Sequence, residues 1–450
     1  MLSLRVRRII YLGFIILFLA TAPLLVLYTA GYRYNFKKTA IQKVGALSVK
    51  PQPATADIYL NGQRQVGSRS DNTLRLNNLL PGQYQVTVSL DGYYPWEKTL
   101  EVSSNVNTFV NQAVLFKNNP PENIIDAPIS QSLASTDKQL LAFQTSPGLQ
   151  LINLNNEQVS LLNQESDTAQ LIAWSPDNAN LLIKTEGQFI ILNINNPDSP
   201  LSLQAMVPTT FISLTWDPQA NYLLYGLDDR YRLYQINILT KTNRLLYTLP
   251  QQSGTRYGSD VLFRNNLLYF TARDPQGWFL ETLDISATPA SPLKLMKLSD
   301  GNITFRTNGG NIVLMNEQSH RLYLLDDDFT KILLEADAKD LDWSTDGQTL
   351  LYYNDFELWL YRLSDNSTTL ITRYGQTIQQ ARLVPTTEYL AVTANNTLQI
   401  IELDGRDRRN VTSLVKGLAI HQFIIANKAK DIFFTGTIGS QSGLFKLTIQ

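Results

Sequence analysis

A short phrase recurs along this chain from residue 133 onward and constrains its fold more than any other feature. "WSPDNANLLIK" at 174–184, "WDPQANYLLYG" at 216–226 and "WSTDGQTLLYY" at 343–353 each set an indole before a polar turn, then begin an apolar run. Weaker copies open at Leu133, Phe263, Phe305, Leu383 and Phe423. The eight opening residues stand 41, 42, 47, 42, 38, 40 and 40 residues apart. A chain that repeats one phrase at such a period makes one supersecondary unit many times. Each unit can bury its faces only against its neighbours.

Each unit continues in the same way. An apolar strand follows the turn. A third strand comes next, such as "QFIILNI" (188–194), "YRLYQIN" (231–237) or "ELWLYRL" (357–363), and then a looser fourth, such as "NRLLYTL" (243–249). Four strands in about 40 residues match a propeller blade. The predicted fold class is all-β: a single N-terminal transmembrane helix, a small β-sandwich, and an eight-bladed β-propeller over 118–450, with seven blades as the alternative. Trp174, Trp216, Phe263, Phe305, Trp343 and Phe423 are expected to mark the blades as structural plugs. The last unit ends at Gln450, so its fourth strand is expected from about 119–127, closing the ring and removing the sheet edges. "WSPDN" at 174–178 and "WSTDG" at 343–347 resemble the turn of the TolB-type, WD40-like propeller repeat, and "LDGRDRRNVTSL" (403–414) resembles the segment that precedes it. The structural-WD dipeptide of classical WD40 blades is missing, Trp216-Asp217 standing in an opening turn instead, which favours the TolB-like class.

Residues Ile9–Tyr32 carry no charge. As a helix they would extend roughly 36 Å at about 1.5 Å per residue, against a hydrocarbon core about 30 Å thick. The sequence therefore predicts a cytoplasmic tail at 1–8, an uncleaved transmembrane helix at 9–32 and a linker at 33–44. Tyr28, Tyr32 and Tyr34 fall where an interfacial aromatic belt would lie. The rival is a signal peptide cleaved after "ATA" (20–22), which Pro23 obstructs. Arg5, Arg7 and Arg8 on one side and Arg33, Lys37 and Lys38 on the other leave the orientation nearly tied by charge. With eight residues before the helix, no cytoplasmic output domain is expected on that side.

From residue 45 a second pattern begins. Leu47 and Val49 alternate, Ile58 and Leu60 resume before Asn61-Gly62, and Tyr84, Val86 and Val88 alternate with polar neighbours. Asn-Gly favours a tight hairpin because both residues accept positive φ. An all-β unit over 45–117 follows. It resembles the PEGA domain family in the run from Pro53 to Gly62, in "LPGQYQVTV" (80–88) and in "DGY" (91–93), with the name-giving tetrapeptide degraded to "PATA" (53–56). The resemblance implies a non-catalytic module common in bacterial envelope and surface proteins, and so a body outside the cytoplasm. "GYYPWEK" offers Tyr93, Tyr94 and Trp96 as a possible binding ledge. Packing of at least two of the three is the plainer expectation.

Catalytic signals are weak. The chain has no cysteine and two histidines, His320 and His421, far apart. Thiolate chemistry and histidine metal cages are thereby excluded, and a Ser-His-Asp triad is not expected. "GSQSG" (439–443) places Gln441 where a nucleophile elbow needs serine. The acidic runs at 228–229 and 326–328 read as solvated turns, not hard-cation sites. No catalytic, cofactor-binding or metal-binding residue is assigned, and no cofactor is expected. The first fifty residues hold eight cations and no acid, so a total of −1 leaves −9 over the rest. An acidic body argues against nucleic acid as a partner. The expectation is a membrane-anchored, extracytoplasmic binding or scaffold protein of a bacterial cytoplasmic membrane. It is held by 9–32 and its partner is a protein, a peptide or a cell-wall glycan. The alternative is a propeller lyase or glycosidase with carboxylates in the central channel.

Overall fold

The structure, a computed structural model, describes residues 4–36, 39–146, 148–163, 169–250, 256–284, 286–287, 291–308, 311–417 and 419–450. They form two compact bodies: residues 1–119 with 401–412 and 450, and residues 120–400 with 413–449.

The first body opens with the helix Leu4–Thr29. Its segment Arg8–Thr29, 22 residues, is long and apolar enough to cross a membrane. The helix stops three residues short of the end of the uncharged run. Gly31 turns the chain at φ 84, and Tyr32–Asn35 then pairs antiparallel with Ala40–Lys43. The stretch 33–44, expected to be a linker, therefore holds most of a hairpin. Alternating tyrosines satisfy a strand as readily as an aromatic belt.

Two four-stranded sheets follow. One orders Asn107–Val114, Gly45–Gln52, Thr73–Leu79 and Arg69–Ser70; the other orders Gln63–Gln65, Asp57–Leu60, Gly82–Ser89 and Trp96–Val102. Leu47, Val49, Ile58, Val86, Val88, Trp96 and Leu100 form the core of this body. Asn61 (φ 50) and Gly62 (φ 78) make the expected two-residue turn between paired strands. Gly45 allows a close crossing: a Cβ there would stand 2.3 Å from the Ser103 carbonyl oxygen, a contact only glycine avoids.

From Gln131 to Lys416 the described residues lay down seven four-stranded antiparallel sheets, each in simple chain order, nearly all of them in the second body. An eighth sheet orders Glu122–Ile125, Gln441–Thr448, Asp431–Ile438 and Ala419–Ala426, so a strand from the start of the body completes the last sheet. A Cβ on Gly443 would lie 1.7 Å from the Ile125 carbonyl oxygen, so this closure requires glycine. Apolar clusters join consecutive sheets: Leu151 with Trp174 and Ile183, Leu182 with Leu214 and Trp216, Val313 with Leu350. Leu141 and Phe143 join the first sheet to Ile424 and Phe433 of the eighth. First strands of neighbouring sheets touch one another, as Phe211–Trp216 touches Arg256–Arg264 and Ile378–Leu383 touches Ala419–Ala426. They form the inner surface of this body.

Candidate functional site

The repeated phrase proves to be a hydrogen-bonded turn. In its second copy Ser175 Oγ donates to Asp177 Oδ1 (2.6 Å), the Ala179 N–H donates to the same oxygen, and the Asn180 N–H donates back to Ser175 Oγ (2.9 Å). Ser135 and Asp137 repeat the arrangement, as do Ser344 and Asp346. Lys138, Asn178 and Gly347 take positive φ at the same place in each turn. The third-sheet copy puts Asp217 at the serine position, where it accepts from the N–H groups of Gln219 and Ala220. The aromatic before each turn packs between sheets. Trp174 Nε1 donates to the Leu133 carbonyl one sheet away (3.2 Å), and Phe263 stacks on Tyr225 at 3.9 Å. Trp216 and Phe423 are buried, whereas Phe305 and Trp343 are partly buried.

The inner strands carry the polar chemistry. A first strand has one unpaired edge, and its free N–H groups need acceptors. Side chains of the preceding sheet supply them. Asp260 accepts from Ser213 Oγ (2.7 Å) and from the N–H of Phe305 (3.0 Å). Asp342 accepts from the Leu383 N–H (2.8 Å), and Gln380 from the Phe423 N–H (2.6 Å). Asp340 is held by Arg382 (2.9 Å) and the Tyr353 hydroxyl (3.0 Å). Burial raises the Asp260 carboxyl above the usual range, against the pull of its N–H and hydroxyl donors. Burial likewise raises Asp342, opposed first by the Arg382 charge. Both residues keep some exposed surface, which tempers the effect.

Several first strands are bulged. Register shifts at Phe211/Ser213, Ile378/Gln380 and Ile420/Gln422 leave Ile212, Gln379 and His421 as extra residues, all three exposed. Bulges re-aim side chains and gather near functional sites. These three, with the captured carboxylates beside them, form the candidate binding surface of the second body.

The other residues singled out from sequence fall elsewhere. Trp96 is 2% exposed and lies in the sandwich core, because strand alternation turns it inward with Leu100 and Val102. Tyr93 packs against that core and Tyr94 is partly buried, so the three share no exposed ledge. Asp228 is fully buried and accepts from Thr209, from the Arg230 and Arg232 N–H groups and from the Arg232 guanidinium. Burial pushes its carboxyl up, but these donors outweigh that and hold it low. Asp326 is occupied in the same way by Thr330 and Lys331. Among the described residues no three His, Asp or Glu side chains gather as a metal cage. His320 turns the chain at φ 54. "GSQSG" is the hairpin after Ile438 plus the glycine that admits Ile125.

Sequence reasoning missed one centre entirely. In the first body the Lys98 side chain is fully buried, 3.0 Å from Glu402 and 3.3 Å from Asp404. Trp96 Nε1 and the Asn410 amide also donate to Glu402. A lysine in phase with Trp96, Leu100 and Val102 was the available signal, since a charge on an apolar stripe needs a partner.

Residues 44–115 match the PEGA domain. No curated protein matches the chain. Solved structures similar to it include the Dos1 propeller, 14% identical over 74% of this chain and 96% of that one, with a TM-score of 0.48. Sqt1 of Saccharomyces cerevisiae is 10% identical over 73% and 98%, TM-score 0.48. The Cps50 (Swd1) β-propeller domain of Myceliophteria thermophila is 14% identical over 66% and 100%, TM-score 0.43. The chain is mainly β, with an apolar N-terminal helix, a PEGA domain at 44–115 and a propeller-like body.

Proposed function

We propose that this chain is a membrane-tethered binding protein whose propeller presents a recognition surface to a protein, peptide or cell-wall glycan. The tail at 1–8 is cytoplasmic, the helix crosses a bacterial cytoplasmic membrane once, and the PEGA domain (45–117) and an eight-bladed propeller (118–450) stand outside. The envelope modules that the PEGA resemblance implies support the outward orientation. One observation carries the binding reading: the inner-strand carboxylates are taken up in holding neighbouring strands, while the exposed bulge residues are Ile212, Gln379 and His421. Ile212 and Gln379 do not titrate and His421 is a lone imidazole among them, a set that suits recognition better than paired acid–base work.

A photocrosslinking residue at Gln379 in intact cells should trap a discrete partner, and one at the outer turn position Asn178 should not. Equal labelling at both would sink the reading. Protease shaving of cells, followed with an antibody to the C-terminus, tests the orientation: loss of the signal fits an external body, and full protection refutes it. The raised carboxyls of Asp260 and Asp342 keep a channel-sited enzyme as a second reading. If Asp342→Asn abolished turnover of a glycan by a folded chain, that reading would replace the first.

A further inference from the structure

The first body has a cleft of about 330 Å³ lined by Ala30, Gly31, Lys43, Arg75, Asn77 and Asn105, among others. Its lining holds two cations, several side-chain amides and no carboxylate. Among the described residues neither Lys43 nor Arg75 has an ion-pair partner. Lys43 Nζ instead sits 5.5 Å from the Tyr32 ring centroid. Beside the cleft Arg33 donates to the Tyr28 and Tyr32 carbonyls and to Asn78 Oδ1. It thereby caps the end of the helix and fixes one wall.

The position of this cleft gives it meaning. The apolar segment Arg8–Thr29 has 22 residues, or about 33 Å as a helix, close to the hydrocarbon thickness of about 30 Å. Ala30 and Gly31 come directly after it, at the depth of lipid phosphates. The hairpin that follows exposes an apolar face: Tyr34 (48%) and Ile41 (55%) pair across it, and Phe36 (84%) meets Tyr34 edge-on. Continuity with the helix makes the interfacial layer of the bilayer the natural cover for that face.

We propose that this cleft binds the phosphate group of an anionic membrane lipid, with the Tyr34–Phe36–Ile41 face lying in the interfacial layer. The inference rests on the reading that the helix crosses a membrane. Lys43 and Arg75 supply the charge, and the amides of Asn77 and Asn105 supply donors to the remaining phosphate oxygens. Near a membrane surface each cation contributes about fivefold to anionic-lipid affinity, so the pair contributes about thirtyfold at low salt.

The test uses the full chain in detergent, with bound lipid counted by native mass spectrometry. The probes are phosphatidylglycerol, phosphatidylcholine of the same acyl chains, and inorganic phosphate. The parent should hold one phosphatidylglycerol in preference to phosphatidylcholine. Lys43→Ala with Arg75→Ala should lose about thirtyfold of that preference. Asn105→Asp, which adds a negative charge to the rim, should weaken it too. Unchanged selectivity in both variants overturns the proposal. Displacement of the lipid by inorganic phosphate at matching concentration also overturns it, by reassigning the cleft to free phosphate. Alkaline carbonate extraction of cells separates the two readings: a chain released from membranes defeats the anchor and this inference together. A chain that stays with membranes while its lipid selectivity is unchanged defeats this inference alone.

Discussion

Lys98 in the first body and Asp260 in the second are both charges set among protein atoms, yet they are held by opposite means. Lys98 has no exposed side-chain surface and answers to two carboxylates, Glu402 and Asp404. Asp260 keeps some surface and answers to hydroxyl and N–H donors from two neighbouring strands, not to an ion-pair partner. A fully buried ion needs counter-charge, because its desolvation cost is several kcal/mol. A carboxylate at a strand edge can be satisfied by dipoles that themselves needed an acceptor. One centre is an ion cluster and the other a splice between sheets.

Lys98→Met should separate them most strongly. It leaves Glu402 buried without its cation, while Asp404 keeps Arg406, and should cost about 3–5 kcal/mol. Hydrogen exchange of Trp96–Val102 in the full chain would register the loss. Adding Glu402→Gln should recover part of it. A single variant with unchanged protection would remove the cluster from the account of stability. Asp260→Asn should cost less, about 1–3 kcal/mol, since one oxygen still accepts. Exchange in 304–306 would report it.

Acid titration should give the two centres opposite signs. Burial pushes Asp404 up, but hydrogen bonds from Arg406 and the nearby cations outweigh it and hold the carboxyl at about 2. Its stabilisation is present above the ordinary carboxylate range and is lost as pH falls toward about 2. Asp260 is raised by burial, so its contribution declines as pH rises from the ordinary range through the raised value. Asp260→Asn should abolish the second trend and leave the first. Exchange measured from pH 2 to 6 in each body would detect a shared sign, which would break the comparison.

The indoles supply a finer contrast. Trp174 Nε1 bonds Leu133, whereas buried Trp216 Nε1 has no partner among the described residues. Trp174→Phe should therefore cost about 1 kcal/mol more than Trp216→Phe in thermal or urea unfolding. Equal losses would mean that packing alone sets the value of these residues. Ser175→Ala should have the smallest effect, about 0.5–1.5 kcal/mol, by unmaking one turn of three alike.

The repeated turn was legible because its bonds are local. Ser175, Asp177 and Asn180 lie within six residues of one another, so composition and spacing suffice to fix them. The same holds for Asn61-Gly62. The final sheet could be anticipated because an unpaired edge demands a partner, and the stretch before Gln131 was claimed by no other repeat. The ledge at Tyr93, Tyr94 and Trp96 failed because the strand's alternation decides which ring faces inward, and its phase is set by pairing with Val88. The splices at Asp260, Asp342 and Gln380 were invisible, because each acceptor meets an N–H group 41 to 45 residues away.

By itself, the sequence determined what local chemistry can determine: an apolar helix of membrane length, alternating strands, and turns that reverse them at a fixed period. The tertiary structure decided which charges share a site. Lys98 meets Glu402 across 304 positions of sequence, and Asp260 meets Phe305 across two sheets. Such meetings depend on the stacking of sheets and the phase of strands, which are global quantities. No short stretch of chain encodes them.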